Sequence, residues 1–511
     1  MTDAAQVRRL AHRVLMPGFA GTQVPRWLAR ALHEGLGGIC LFGHNIESPA
    51  QLCALTDDAH GLGPVVVGVD EEGGIVSRLG TRKGSRHVGA AALGVVDDVA
   101  LTEAVAGQIA IDLRDVGVDL DLAPVADVTS DLQNPVIGVR SFGTEPEHVA
   151  RHTRAFVRGL QGLGVAACAK HFPGHGDTSV DSHAGLPRIA VDLETLRRRE
   201  LPPFAAAVEA GVQVIMTAHI VFEALDDRPA TVSAPVMRLL RDELGFDGVI
   251  TSDAMDMGAV VDSIGLAEGC VQAVIAGVDL VGLGNPVLNA PQREDERTFV
   301  AALDALVEAA TSGRLPLERL REAAGRVDRL ERWCRDRRGS EVPAGEPETD
   351  ARAARASLRT VGDVAGVLTG PVRVIDVRRR RNIAAGGNTG LIAHAIVERL
   401  PGSEAMCQAP QATVAEGRAS AAERTASPDA PEEPGAPGRR AAAHADVVVT
   451  GTPGLDPAEA EALARIVEAN PRAVVVCTGM VPPGTLVADR VVHTFGDSLP
   501  TARAVVDLLA K

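Results

Sequence analysis

The chain reads as an α/β protein: a (β/α)8 TIM barrel followed by a smaller C-terminal α/β sandwich domain. Three observations predict this. Short β-branched runs alternate with longer helical patterns eight times in the first 290 residues, the grammar of a parallel barrel. Polar, chemistry-bearing residues cluster just after several of these runs, where such a barrel keeps its site. At 511 residues the chain is also too long for one ordinary core.

The barrel strands are expected at 13–19, 38–42, 65–70, 118–124, 165–170, 212–218, 248–252 and 278–282. Apolar periodicity places helices between them, for example at 99–116, 147–163, 193–210 and 234–244. Two further amphipathic helices in 298–337 close the barrel and lead away from it, so the catalytic domain is expected to span 1–338. A stretch rich in Gly, Pro, Ser and Glu, 339–350, reads as a linker. The second domain, 351–511, has expected strands at 372–377, 446–451, 473–478 and 490–495, with helices at 390–400, 457–468 and 501–510. Its segment 408–440 runs in Ala, Pro, Glu and Arg without periodicity, too poor in apolar surface to offset the entropy of ordering, and is expected to be disordered.

A net charge of −16 and a pI near 5.4 argue against a nucleic-acid partner. Tyrosine is absent and aromatics are only 2%, which removes the usual base-stacking platforms. Seven scattered cysteines, an odd number without metal-like spacing, fit a reducing compartment better than a disulfide framework. The first residues hold no continuous apolar core of a signal peptide, and no run approaches the roughly twenty apolar residues of a membrane span. A soluble cytoplasmic protein with a small-molecule substrate, no membrane partner and no metal or cofactor is the expectation. Nothing in the sequence sets an oligomeric state.

Strand three ends in Asp70, followed by Glu71, Glu72, Gly73 and Gly74. Strand four is followed by Asp127 and then by 134–142, which holds Arg140. Strand five ends in Lys170 and His171, strand six at His219, and strand seven in Thr251, Ser252 and Asp253. A single Asp at a strand end is often only a helix N-cap. Five strands pointing the same way argue for a site.

The densest stretch is KHFPGHGDTSVDSH, 170–183, with three histidines, two aspartates and a lysine around Pro173, Gly174 and Gly176. With it stand DEEGG from Asp70, VIGVRSFG at 136–143, DSH at 181–183 and TSDAMDM at 251–257. Together these resemble glycoside hydrolase family 3, in its bacterial β-N-acetylglucosaminidase (β-N-acetylhexosaminidase) branch and two-domain form. The likeness runs from about Val14 to Arg337, with the motifs in family order. KHFPGHGDT followed by DSH is highly specific, whereas DEEGG or SDA alone is weak.

The resemblance implies a retaining glycosidase acting on terminal N-acetyl-β-D-glucosamine of muropeptide or chitin fragments, without a cofactor. It implies Asp253 as the nucleophile, with Asp256 the competing carboxylate three residues on. It implies a histidine acid/base, His183, held by Asp181, in place of the usual second carboxylate. Imidazole suits that task, because its ordinary pKa near 6.5 lets it give and recover a proton near neutrality. Asp70, Arg78, Arg140, Lys170 and His171 are implied to hold the sugar hydroxyls. His175 and Asp177 are expected to fix the loop and Glu72 to support Asp70, while His219 has structural and binding roles equally open. One departure stands out: where the family pattern has an arginine after DEEGG, this chain has Ile75. The aglycone contacts are therefore open.

Three other readings remain. Phosphorolysis is compatible with a histidine acid/base, which adds no negative charge to repel phosphate. A β-glucosidase of the same family typically lacks the DSH loop, and a non-catalytic sugar-binding protein would not need Asp253, Asp181 and His183. In the C-terminal domain, the run 378–381 with Asn382 and the GGN at 386–388 fits either an anion-binding loop or a solvated one.

Overall fold

The computed structural model describes residues 4–178, 186–287, 295–341, 343–379, 382, 384–385, 390–407, 445–482 and 484–510. Among them, eight parallel strands form the barrel wall: Leu15–Met16, Gly38–Leu41, Val66–Val69, Leu120–Asp121, Ala166–Phe172, Val214–Thr217, Val249–Ser252 and Val281–Gly282. Strands two to seven form one continuous sheet, and strand one pairs with strand eight. Backbone bonds close the ring, from Cys40 N–H to the Pro17 carbonyl and from Ser252 N–H to the Leu280 carbonyl, at 3.0 and 3.1 Å. The strands are buried on both faces, as parallel strands covered by helices must be, which is why they read as Val, Ile and Ala runs rather than alternations.

All eight expected strands are present, several shorter than the apolar runs that announce them. The helix expected over 193–210 is two, Leu193–Arg199 and Leu201–Glu209, because Pro202 and Pro203 supply no amide hydrogen and fit only a first turn. The helix expected over 234–244 is α-helical only over Ala234–Arg238 and then winds as a π turn over Leu239–Glu243. A helix, Ala4–Arg13, precedes the first strand. Among the described residues, no helix is long and apolar enough to cross a membrane.

After the helix Leu317–Arg338, the helix Glu348–Ser357 begins inside the stretch expected as a linker, 339–350. The second sheet follows in the order Arg359–Val361, Val491–His493, Val474–Cys477, Val447–Thr450, Arg373–Asp376, Glu404–Cys407, parallel except for the first. The two outermost strands were not expected. Glu404–Cys407 is an exposed edge and Arg359–Val361 spans three residues, so neither carries the buried β-branched signal of the interior strands. The expected insert, 408–440, lies outside the described residues.

The helix Glu348–Ser357, which leads into the second sheet, is tied to the barrel through a buried ion cluster. His87, from the barrel, lies 2.9 Å from Asp350 of the helix Glu348–Ser357 and 3.2 Å from Asp112. Burial opposes charge on this ring, but the two carboxylates outweigh it and push its pKa up to about 10. A raised pKa means that His87 stabilises the fold fully below its unfolded value near 6.5, and that this contribution fades as pH rises through about 10. Urea unfolding of wild type and His87→Gln should therefore differ most below about pH 6.5 and converge above about pH 10. A pH-independent difference would mean the imidazolium is not what joins the units.

Candidate active site

The carboxyl ends of the strands open onto a cavity of about 310 Å³. Asp70, Arg78, Arg140, Lys170, His171 and Asp253 all line it. The remaining two expected site residues, Asp181 and His183, lie outside the described residues.

Strand three passes into a tight hairpin in which Glu71–Gly73 pairs with Val76–Ser77. Gly73 and Gly74 make its turn at φ 78° and 56°, the left-handed region in which a Cβ is strained. Glu71 holds the returning arm, accepting the N–H groups of Arg78 and Leu79 at 2.9 and 3.0 Å. The hairpin thus presents Asp70, Glu72 and Arg78 together.

Lys170, arriving on strand five, stands 2.7 Å from both Asp70 and Glu72. Arg140 donates two bonds to Glu72, from Nε at 2.9 Å and Nη2 at 2.8 Å, and Arg78 Nη2 reaches Asp70 at 3.2 Å. Burial opposes every one of these charges. The pairings prevail: Lys170 and Arg78 hold Asp70 well below the usual carboxylate range, and Arg140 and Lys170 bring Glu72 down to about 2. Lys170 and Arg140 are in turn held above their ordinary values, so the network keeps its charges across the physiological range. Three cations face two carboxylates, and this ring of strong donors and acceptors is suited to gripping hydroxyl groups.

Asp127, fully buried in the segment after strand four, fixes residues of the loop after strand five. Its Oδ2 lies 2.7 Å from His171 Nδ1, while Oδ1 accepts the N–H groups of His171 and His175 at 3.1 and 2.8 Å. Burial, with the neighbouring His171, pushes the His175 pKa down to about 4, and that ring bonds Thr178 at 2.9 Å. Gly176 packs so closely on the segment after strand four that a Cβ would overlap the Val128 carbonyl oxygen. Asp177 is paired with Arg199 at 2.7 Å. His175, Gly176, Asp177 and Thr178, in the loop after strand five, are therefore tied down.

Asp253 accepts the Ala254 N–H at 2.7 Å, and its own N–H reaches the Thr217 carbonyl at 3.2 Å. His219 braces the same turn, bonding the Ala254 carbonyl at 3.0 Å and Thr231 at 2.8 Å, which gives it a structural place. Asp256 is not among the residues lining this cavity; it packs against Gly284, which borders both the cavity and the crevice that holds Asp256, Pro17 and Phe299.

Sequence reasoning missed two contributions. Asp127 was visible after strand four, but not its grip on His171. The second was invisible: Arg78 Nη1 donates to the backbone carbonyl of Ala384, 2.8 Å away, and Ala384 and Ala385 line the cavity from the C-terminal unit. Asn382 donates to the Val136 carbonyl at 2.6 Å. Of the run 378–381, Arg378 is part-buried and held between Asp376 and Asp497 at 2.6 and 2.8 Å. Residues 380, 381 and 386–388 lie outside the described residues.

Residues 22–330 match the family model of the glycosyl hydrolase family 3 N terminal domain. The chain belongs to glycosyl hydrolase family 3. Among curated relatives of this family 3 chain, beta-hexosaminidase A of Pseudoalteromonas piscicida is 34% identical over 337 residues, 61% of this chain but only 56% of that protein's own length. A beta-hexosaminidase of Chromobacterium violaceum is 34% identical over 362 residues, covering 69% of this chain and 95% of its own. Among solved structures, a family 3 beta-N-acetylglucosaminidase from Paenibacillus sp. str. FPU-7 superposes with a TM-score of 0.81 at 28% identity, covering 98% of this chain and 96% of that one.

Glu72 partners two buried cations, so Glu72→Ala should lower unfolding free energy by about 3–5 kcal/mol, the usual cost of stranding a buried charge. Urea denaturation reads this directly; a loss below about 1 kcal/mol would mean that water replaces the carboxylate.

Proposed function

We propose that this chain is a retaining β-N-acetylhexosaminidase that removes terminal non-reducing N-acetyl-β-D-glucosamine from cell-wall muropeptide or chitin fragments. One observation carries the reading: of the two aspartates in the TSDAMDM motif, Asp253 lines the same cavity as the ionic ring, while Asp256 lies in another crevice. The beta-hexosaminidases and the beta-N-acetylglucosaminidase described above support the sugar. A cytoplasmic setting is supported by all seven cysteines being free thiols.

In this reading a carboxylate oxygen of Asp253 attacks the anomeric carbon as the glycosidic C–O bond breaks. His183, oriented by Asp181, gives its proton to the departing oxygen. The same imidazole then takes a proton from water, whose oxygen displaces Asp253 and completes retention. Asp70, Lys170, Arg140, Arg78 and His171 grip the ring hydroxyls, and these charged contacts strengthen as the ring flattens toward an oxocarbenium ion.

Release of p-nitrophenol from its N-acetyl-β-D-glucosaminide, with and without phosphate, tests this. Asp253→Ala should abolish turnover while Asp256→Asn retains it. With a disaccharide leaving group, His183→Ala should lose about 10²–10⁴-fold in kcat/KM, the typical contribution of a general acid. Activity surviving in Asp253→Ala would sink the nucleophile assignment. Phosphate-dependent formation of a sugar 1-phosphate would move the chain to phosphorolysis, and cleavage of the glucoside alone would replace the sugar.

A further inference from the structure

Among the described residues outside the cavity, one cluster has the composition and spacing of a metal site. Asp97, His148 and His152 each offer a ligand atom, all within 4.8 Å of one another, and none of them lines the active-site cavity. We infer that this cluster is a binding site for a first-row divalent transition ion such as zinc, joining the helices Ala90–Val96 and Pro146–Gly162.

Three features support it. Two histidines four residues apart on the helix Pro146–Gly162 lie on one face, as chelation from a helix requires. Asp97 meets them from a locked backbone: it ends the helix Ala90–Val96 in left-handed conformation at φ 57°, and the next residue, Asp98, caps the helix Val99–Asp115. Asp97 Oδ1 stands 3.3 Å from His152 Nε2 and 3.5 Å from His148 Nδ1. Ligands about 2.0–2.1 Å from a tetrahedral zinc stand about 3.3–3.4 Å apart, so two edges of the polyhedron are already set. The third edge, between the two histidine nitrogens, is within 4.8 Å, and His148 is partly exposed.

The fully buried His152 also has an outer partner of the kind that metal-ligating imidazoles have. Its Nδ1 lies 2.8 Å from Thr102 Oγ1, whose hydroxyl donates to the Asp98 carbonyl at 3.3 Å. Nε2 of the same ring lies 3.3 Å from Asp97 Oδ1; an ion bound at Nε2 would replace the proton on that nitrogen and leave the ring proton on Nδ1, donated to Thr102. Two histidines, a carboxylate and a position for water make a nitrogen-rich set that favours zinc, nickel or copper over magnesium or calcium. A cation already faces the group: Arg151 Nη2 lies 2.8 Å from Asp97 Oδ1 and 3.4 Å from His148 Nδ1. This guanidinium is on an exposed side chain that can swing away, and it competes with the metal rather than excluding it.

Equilibrium dialysis of the full chain against zinc, with thermal unfolding in parallel, tests the inference. Wild type should bind an equivalent at this cluster and unfold at higher temperature as zinc rises, because an ion bound only by the folded state stabilises it. Arg151→Ala should bind more tightly. His148→Ala and Asp97→Asn should weaken binding at least about tenfold, and Thr102→Val about 10–100-fold, the usual effect of removing a ligand's outer partner. Turnover in metal-free buffer should be unchanged in all four. The inference fails if His148→Ala and Asp97→Asn bind zinc as wild type does, which would place the ion elsewhere. It fails equally if neither wild type nor Arg151→Ala binds zinc.

Discussion

The structure of the mouth depends on one buried chain of charges, Arg78 to Asp70 to Lys170 to Glu72 to Arg140. Each of these groups would be costly to bury alone, because removing an ion from water costs several kcal/mol even after relaxation. They are tolerated only as a set, so the hairpin after strand three, the segment after strand four and the end of strand five must arrive together. The barrel supplies that convergence. Its own stability comes from strands buried on both faces, and the ionic chain converts that rigidity into fixed positions for polar atoms.

The barrel was legible because its grammar is repeated. Each run such as VVVGVD or VAACAK announces a buried parallel strand, and the error of a few residues at each end does not alter the order. Legibility fell where local chemistry overrode pattern: Pro202 and Pro203 divide a helix that apolar periodicity makes continuous. It fell again at Glu404–Cys407, an edge strand that buries nothing and so leaves no hydrophobic signature.

The site shows the same division. Residues whose types announce chemistry at strand ends, Asp70, Lys170, His171 and Asp253, were readable and do converge on one cavity. What could not be read was the partner of each charge. That Glu72 is shared by Lys170 and Arg140, or that Asp127 grips His171 by both ring and backbone, depends on distances across the barrel that no local pattern encodes. Arg378 was likewise readable as a cation, while the two carboxylates of its own unit that enclose it were not.

The bond between Arg78 and Ala384 has a consequence for how this mouth can change over time. Its acceptor is a main-chain oxygen, and the residue at 384 is the one amino acid whose side chain offers nothing but a methyl group. Any residue placed there would carry the same carbonyl. This one bond is therefore indifferent to substitution at 384 and sensitive to spacing: one residue gained or lost shortly before 384 would move the oxygen out of reach while leaving the side chains of the barrel intact. Divergence on this side of the mouth is accordingly expected to be recorded as differences in loop length, which comparisons of residue identity alone would pass over.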